Sequence, residues 1–551
     1  MTCLEKIYSN EFFDYIVEKE KIPEGSCAQT LNSRYDSIYY KGGKGKNNIQ
    51  EGTYTAIPKC YTTLDQSALE ESGILKVQSQ PNLSLKGRGV LIGFVDTGID
   101  LENPVFRYSD GSSRVLAVWD QTDGSGIQPK GFQYGSEYTR EEINQRLDTN
   151  GALPKDENGH GTYVAGVAAG SVNEEANFSG AAPESMIAMV KCKQAKDYLR
   201  DFYHIPKETP CYQENDIMAG LHYLDQLAEK EKVPLIICIA MGSNMGNHGG
   251  RNPLSEMMTE IGASKLRCMV CAAGNEAGRR HHHYGTIREG EVAEVEVRVE
   301  DNCMGYTLEV WSSAPQLFAI KILSPSGELV PKERDVTQSK QVFEFIFEST
   351  RVEVDYRIVG TKTGDQLIFI NFTKPTKGIW KLFVYGINLT NGIFNMWLPM
   401  KEFLSSDVIF LAPNPNVTVT NPGNGIAAIT VGAYSTQNKS LYIDSGRGYS
   451  VQNLVKPDLV APGVNVYGPN IAGSFQGRTG TSPAAAITAG ACALYMEWAY
   501  YKKRMEDINT PQIRNVLVRG TMKPGMRSYP NQEWGFGILN IYNAFEVLRR
   551  P

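Results

Sequence analysis

The chain has 551 residues, too many for one ordinary compact domain and suited to two or three. Apolar residues make up 41% and charged residues 21%, the balance of a folded globular protein. A net charge of -6 without a basic cluster gives no footprint for nucleic acid, and no apolar run is long enough to span a bilayer.

Residues 1 to about 66 read as a small mixed segment. The opening, MTCLEKIYSNEFFDYIVEKEK, is helix-like and lacks the basic-then-apolar layout of a secretory signal, which predicts a protein made and kept inside a cell. A Gly/Lys-rich loop (41–48) and a β-like stretch, TYTAIPKCYTTL, follow, then a helix-like SALEESGI. Val90 to Val95 is apolar apart from Gly93, the pattern of a parallel strand buried on both faces. The small-residue run Gly161 to Gly170 predicts a closely packed helix. Met186–Val190, Pro234–Met241 and Arg267–Ala273 predict further strands, and Asp216–Glu229 has helical spacing. This alternation predicts a doubly wound parallel sheet.

From about 285 to 412 the texture changes to short alternating runs, among them EVAEVEVRVED, VEVDYRIVG and QLIFINFT. They are split by Gly, Pro, Asn and Asp and predict an antiparallel β-sandwich or jelly roll. With GIAAITVGAYS the α/β texture returns, so the β-rich block reads as an insertion in one α/β domain made of 67–284 and 413–551. The ten cysteines are scattered in apolar settings and read as reduced core thiols. Cys268 and Cys271 form a C-x-x-C inside a predicted strand, where residues three apart face opposite ways and cannot share a metal. His281 to His283 likewise cannot all face one ion and read as a polar loop near the site discussed next. No internal repeat is found.

Three segments carry chemistry together. VDTGID places Asp96 just after a buried strand, where open α/β sheets form their sites. NGHGTYVAG places His160 at the mouth of a helix, and GRTGTSPAAA places Ser482 at the start of another. A serine hydroxyl needs a histidine to take its proton, and the histidine needs a carboxylate to hold its tautomer and stabilise the imidazolium. In CAAGNEAG, Asn275 sits in a glycine-flanked loop after a strand. Its side-chain amide and the Ser482 N–H are candidate donors to an oxyanion. Singly, each motif has a bland reading as a turn, a structural histidine or a helix cap. All four in this order point to acyl transfer.

These residues resemble the subtilase family. The resemblance rests on D-T-G-I-D, H-G-T-x-V-A-G, A-A-G-N, K-P-D-L-V-A-P-G (456–463) and G-T-S-x-A-A, and spans about 66–280 and 415–551. It implies an α/β fold with a seven-stranded parallel sheet, and Asp96, His160 and Ser482 as an Asp-His-Ser triad. It also implies a groove in which an extended peptide pairs with main-chain edges at Met241, Gly242 and Ser243 and at Ala272, Ala273 and Gly274. The family's G-T-S-M-A-x-P reads here Gly480-Thr481-Ser482-Pro483-Ala484-Ala485-Ala486, which predicts Ser482 as a helix cap and Pro483 at the first helical position. No Asp/Asn-rich loop of calcium-binding type is seen, and no metal or other cofactor is expected.

The narrower resemblance is to the clostridial Csp germination proteases. It lies in YTTLDQSALEESGI, FRYSDGSSRVLAVWDQT and the inserted sandwich. It implies an N-terminal α+β prodomain (1–66) acting as chaperone and inhibitor, cut near Gln66–Ser67, with Thr63 to Gln66 left in the groove. It further implies storage in the spore, a cortex-lytic hydrolase precursor as protein substrate, and relatives that have lost triad residues as possible partners. The insert reads as scaffolding in preference to a binding module. The competing functions are a silent, prodomain-locked scaffold or sensor and an intracellular housekeeping subtilase.

Overall fold

The computed structural model describes Lys6, 12–18, 27–30, 35–41, 67–333, 335–359, 364–525 and 527–549. Contacts divide the chain into Met1–Leu64 and Asp65–Pro551. In the first unit the helix-like reading of the opening fails over Phe12–Glu18, which is a strand paired antiparallel with Tyr35–Lys41, itself paired with Ala28–Thr30. The run FFDYIVE is rich in aromatic and branched residues, and strand propensity wins there over the scattered charges. Cys27 is disulfide-bonded, which corrects the reading of all cysteines as thiols. The other described cysteines are free and buried. The β-like stretch over 53–64 lies outside the described residues.

The second unit is built on an eight-stranded sheet. From one edge the order is Leu459–Pro462, Ile429–Tyr434, Arg267–Ala272, Leu235–Ile239, Leu91–Asp96, Met186–Lys191, Val115–Asp120 and Ser136–Thr139. The first seven run parallel, as the resemblance implies; the eighth is an antiparallel edge. Leu91–Asp96 and Leu235–Ile239 are buried along their whole length, which is why they read as unbroken apolar runs. One face packs on the helices His160–Ala169 and Thr481–Met496, the other on Glu214–Glu231 and Pro253–Ala263. Cys268 belongs to the first core and Cys271 to the second, so the C-x-x-C straddles the sheet.

The strands from His282–Thr286 to Val408–Phe410 form two antiparallel sheets, six- and five-stranded, closed over a core that includes Tyr306, Phe318, Phe372 and Trp380. The polar-loop reading of the three histidines is overturned. His282 and His283 open the first strand of this sandwich, and His281 and His282 are buried. The sandwich joins the α/β body through specific contacts. Phe202 stacks on Phe369 at 5.4 Å, His204 Nε2 lies 2.7 Å from Asn371 Oδ1, and the Gly246 N–H donates to Glu309 at 2.9 Å. His248 stacks on Trp397 at 4.2 Å. Among the described residues no helix is long and apolar enough to cross a membrane, and no cluster of three or more metal-ligating side chains is present.

The segment Lys456–Gly463 starts the strand at the far edge of the sheet with a buried ion pair. Lys456 Nζ contacts Asp458 Oδ2 at 2.7 Å, the Ala428 carbonyl at 2.7 Å and Thr430 Oγ1 at 3.2 Å, while the Thr430 N–H donates to the same carboxylate. Removing one partner of such a pair strands the other charge. Lys456→Met should lower stability by about 3–5 kcal/mol in urea unfolding, and adding Asp458→Asn should recover part of that loss.

Candidate functional site

Asp96 ends the strand Leu91–Asp96, and Ala240 and Asn275 follow its neighbours Leu235–Ile239 and Arg267–Ala272, so their groups meet at the carboxyl edge of the sheet. Two helices complete the site from one face. His160 is the first residue of His160–Ala169 and Ser482 the second of Thr481–Met496.

His160 Nδ1 lies 2.8 Å from Asp96 Oδ1, and His160 Nε2 lies 3.2 Å from Ser482 Oγ. Asp96 is 1% exposed and also accepts from the Thr97 N–H at 2.7 Å. With Nδ1–H committed to the carboxylate, Nε2 presents a lone pair to the serine. The Ser482 hydroxyl has a second acceptor, the Ala240 carbonyl, at 3.2 Å. The His160 side chain is 27% exposed. Burial by itself would lower the His160 pKa; the charge and hydrogen bond of Asp96 outweigh it, and the net direction is above the ordinary 6.5.

The close approach has a backbone cause. A Cβ at Gly161 would fall 2.2 Å from the Gly98 carbonyl oxygen, so only glycine lets the helix start against the Asp96 turn. Asp156, unremarked in the sequence reading, anchors that start. It accepts from the N–H groups of Asn158, Gly159 and Thr162 and from the hydroxyls of Thr97 and Thr162. Burial pushes its carboxyl up, but these donors pull it further down, to below the ordinary 3.8. Thr97 Oγ1 in turn accepts from the Gly161 N–H at 2.9 Å. Asp156 lies four residues before the helix start, outside the usual capping positions, with Gly159 as the cap, so no local pattern marked it.

Asn275 Oδ1 accepts from the Thr481 N–H at 3.0 Å and lies 3.2 Å from Thr481 Oγ1, which accepts from the Gly274 N–H at 3.1 Å. The oxygen being held, the Nδ2 group is the end left to donate. Gly480 caps the Ser482 helix at φ 154°, a backbone region that favours glycine. The helix starts earlier than expected. Thr481, not Pro483, is its first residue, Ser482 is inside and not the cap, and Pro483 is third. First-turn N–H groups have no intrahelical partner, so proline there removes no helix bond, and the Ser482 N–H stays unspent by the helix.

The expected main-chain edges also make hydrogen bonds within the protein. Ser243 exchanges both N–H and C=O with Asn421 at 2.9 Å. Ala272 is inside the sheet, paired with Val431. The Ala273 N–H donates to Val431 and its carbonyl accepts from Thr420; Gly274 is engaged with Thr481 and Gly446. The N–H groups of Ser243, Ala273 and Gly274 are engaged inside the protein, while each carbonyl keeps a second lone pair, so these segments stay candidates to line a groove beside Met241 and Gly242. Ser67 is the first residue of the helix Ser67–Glu71; Gln66 lies outside the described residues.

The subtilase family matches residues 87–296 and 406–537, more than half of the chain, and the match breaks across most of the sandwich. The subtilisin-like protease SBT6.1 of Arabidopsis thaliana is 30% identical over 160 residues, 27% of this chain and 15% of that protein. An intracellular serine protease of Paenibacillus polymyxa is 28% identical over 191 residues, 35% of this chain and 43% of that one. The matched stretches span under half the length of these curated relatives. The structure of the Clostridium perfringens CspB protease aligns with a TM-score of 0.77 at 26% identity, covering 88% of this chain and 99% of that one. Seven parallel strands, the meeting of Asp96, His160 and Ser482, and this match over most of both α/β segments lead to one conclusion: the chain belongs to the subtilase family of serine proteases.

Proposed function

We propose that this protein is an endopeptidase in which Asp96, His160 and Ser482 act as the catalytic triad. The observation that carries this is the unbroken chain of hydrogen bonds from Asp96 through His160 to Ser482, at 2.8 and 3.2 Å. Ser482 Oγ attacks the scissile carbonyl as its proton passes to His160 Nε2. The oxyanion of the tetrahedral intermediate is received by Asn275 Nδ2 and the Ser482 N–H. The amine leaves with the proton from Nε2, and water hydrolyses the acyl-enzyme by the same route in reverse. An extended peptide substrate pairs with the main chain at Met241 and Gly242, while Ser243 and Ala272 to Gly274 line the groove.

Residues 1–66 are the prodomain, and the chain cuts itself near Gln66–Ser67. The contact boundary between Leu64 and Asp65 supports this, falling beside that bond. The physiological substrate is a spore cortex-lytic hydrolase precursor, cleaved during germination from storage in the spore. Support comes from the likeness to the clostridial CspB protease over nearly the whole of that chain. The insert, 285–412, acts as scaffolding for the groove.

Intact mass and N-terminal sequencing test the core of this reading. Wild-type protein should lose the first 66 residues, and Ser482→Ala should remain whole; an uncut wild type would favour the silent scaffold. On a peptide substrate, Ser482→Ala or His160→Ala should lower kcat on the order of 10⁶-fold, the scale of such losses in subtilisin.

The pH profile gives an independent check. His160 acts as a base only when neutral, so kcat/KM should fall as pH drops through its pKa, which Asp96 holds above 6.5. Asp96→Asn removes the group that raises it. The acid limb should then move to lower pH, and kcat should fall about 10⁴-fold. An acid limb that stays in place would remove Asp96 from this role.

A further inference from the structure

Thr481 holds the oxygen of Asn275, but the loop that carries Asn275 needs a second anchor. The next residue, Glu276, turns inward and is 2% exposed. Its Oε2 lies 2.7 Å from His281 Nδ1 and 3.0 Å from Asn244 Nδ2. Both partners are 3% exposed. Asn244 directly follows the groove segment Met241–Ser243, and its Nδ2 also reaches the Leu398 carbonyl at 3.4 Å. Leu398 in turn donates its N–H to the His281 carbonyl at 2.9 Å. One buried carboxylate therefore ties together the Asn275 loop, the groove wall and the entry to the sandwich.

A carboxyl group is costly to bury and needs its donors fixed around it. That requirement makes the arrangement directional: the loop carrying Asn275 cannot shift without stranding Glu276. We infer that Glu276 is a positioning residue for the oxyanion donor, acting through His281 and Asn244 to hold Asn275 Nδ2 where negative charge develops. The inference rests on the reading of Asn275 as that donor. It also gives the sandwich a share in catalysis, because His281 comes from the segment that leads into it.

The test uses the full chain and a fluorogenic peptide ending in the Tyr61–Gln66 sequence. Glu276→Ala and His281→Ala should each lower kcat on the order of 10- to 100-fold, less than the 10²–10³ lost with an oxyanion donor itself, with KM unchanged. The double variant should be no slower than the worse single variant, since both break one linkage. Affinity for a peptide boronate, which forms a tetrahedral adduct, should weaken in step with kcat, while binding of the uncleaved peptide by the Ser482→Ala forms should not change. Should the alanine variants fail to fold, Glu276→Gln and His281→Gln, which preserve bulk, carry the same readouts. Folded variants with wild-type kcat, or a loss confined to KM, overturn the inference even where Asn275→Ala is slow. A wild type with no Ser482-dependent turnover or fluorophosphonate labelling would remove the protease reading itself, and this inference with it.

Discussion

The site depends on one backbone contact, the approach of Gly161 to Gly98. It brings the start of a helix against the end of a central strand and lets the His160 imidazole reach Asp96 at 2.8 Å. Around that contact the helix is fixed at both ends. At its start Asp156 accepts from the N–H groups of the Gly159 cap and of Thr162, while Thr97 accepts from that of Gly161. At the other end the guanidinium of buried Arg114 donates to the Ala169 carbonyl at 2.6 Å. The imidazole has little freedom left, and its basicity follows from the same placement: the Asp96 charge outweighs burial.

The joint between the sandwich and the α/β body is polar where a greasy joint would have been simpler. His248 and His282 both stack on Trp397, with ring nitrogens aimed at the carbonyls of Val419, Asn244 and Asn414. Burial pushes both histidines down, to about 4, against the hydrogen bonds that raise them. Glu309 and Glu276 add two buried carboxyls, on Gly246 and on His281. An apolar joint tolerates sliding. A polar one leaves unpaired groups when it slides, and each is costly. The loops gripped in this way, 243–248 and 274–277, follow the two strands flanking the site, so a domain that contributes neither Asp96, His160 nor Ser482 still bears on the groove.

Much of this was legible in the residues. Strands buried on both faces announce themselves as apolar runs, and period-two alternation marked five strands of the sandwich. The four site motifs identified one another by their order and by the elements carrying them. What failed did so for reasons of context. The run around Phe12 to Glu18 has charges that suit a helix, yet it pairs with a strand more than fifteen residues later. Three consecutive histidines look like a solvated loop, but His282 is met by Trp397 and Asn395 and His281 by Glu276, and these two are buried. The main-chain edges at Ser243, Ala273 and Gly274 could not be judged from their own residues. Whether an N–H is free depends on Asn421, Val431 and Thr481, all distant in the chain.

The sequence alone determined the fold class, the inserted sandwich and the candidate site groups, because those depend on periodicity and on residue chemistry. Tertiary structure alone decided which of these groups are aimed, held and left unpaired: the role of Asp156 under the His160 helix, the occupation of the Asn275 oxygen by Thr481, and the buried linkage from Glu276 to His281 and Asn244. The reason is that hydrogen-bond satisfaction in a buried site is a property of the whole surroundings. Each donor or acceptor is met by a residue from another part of the chain, at distances that no local pattern encodes.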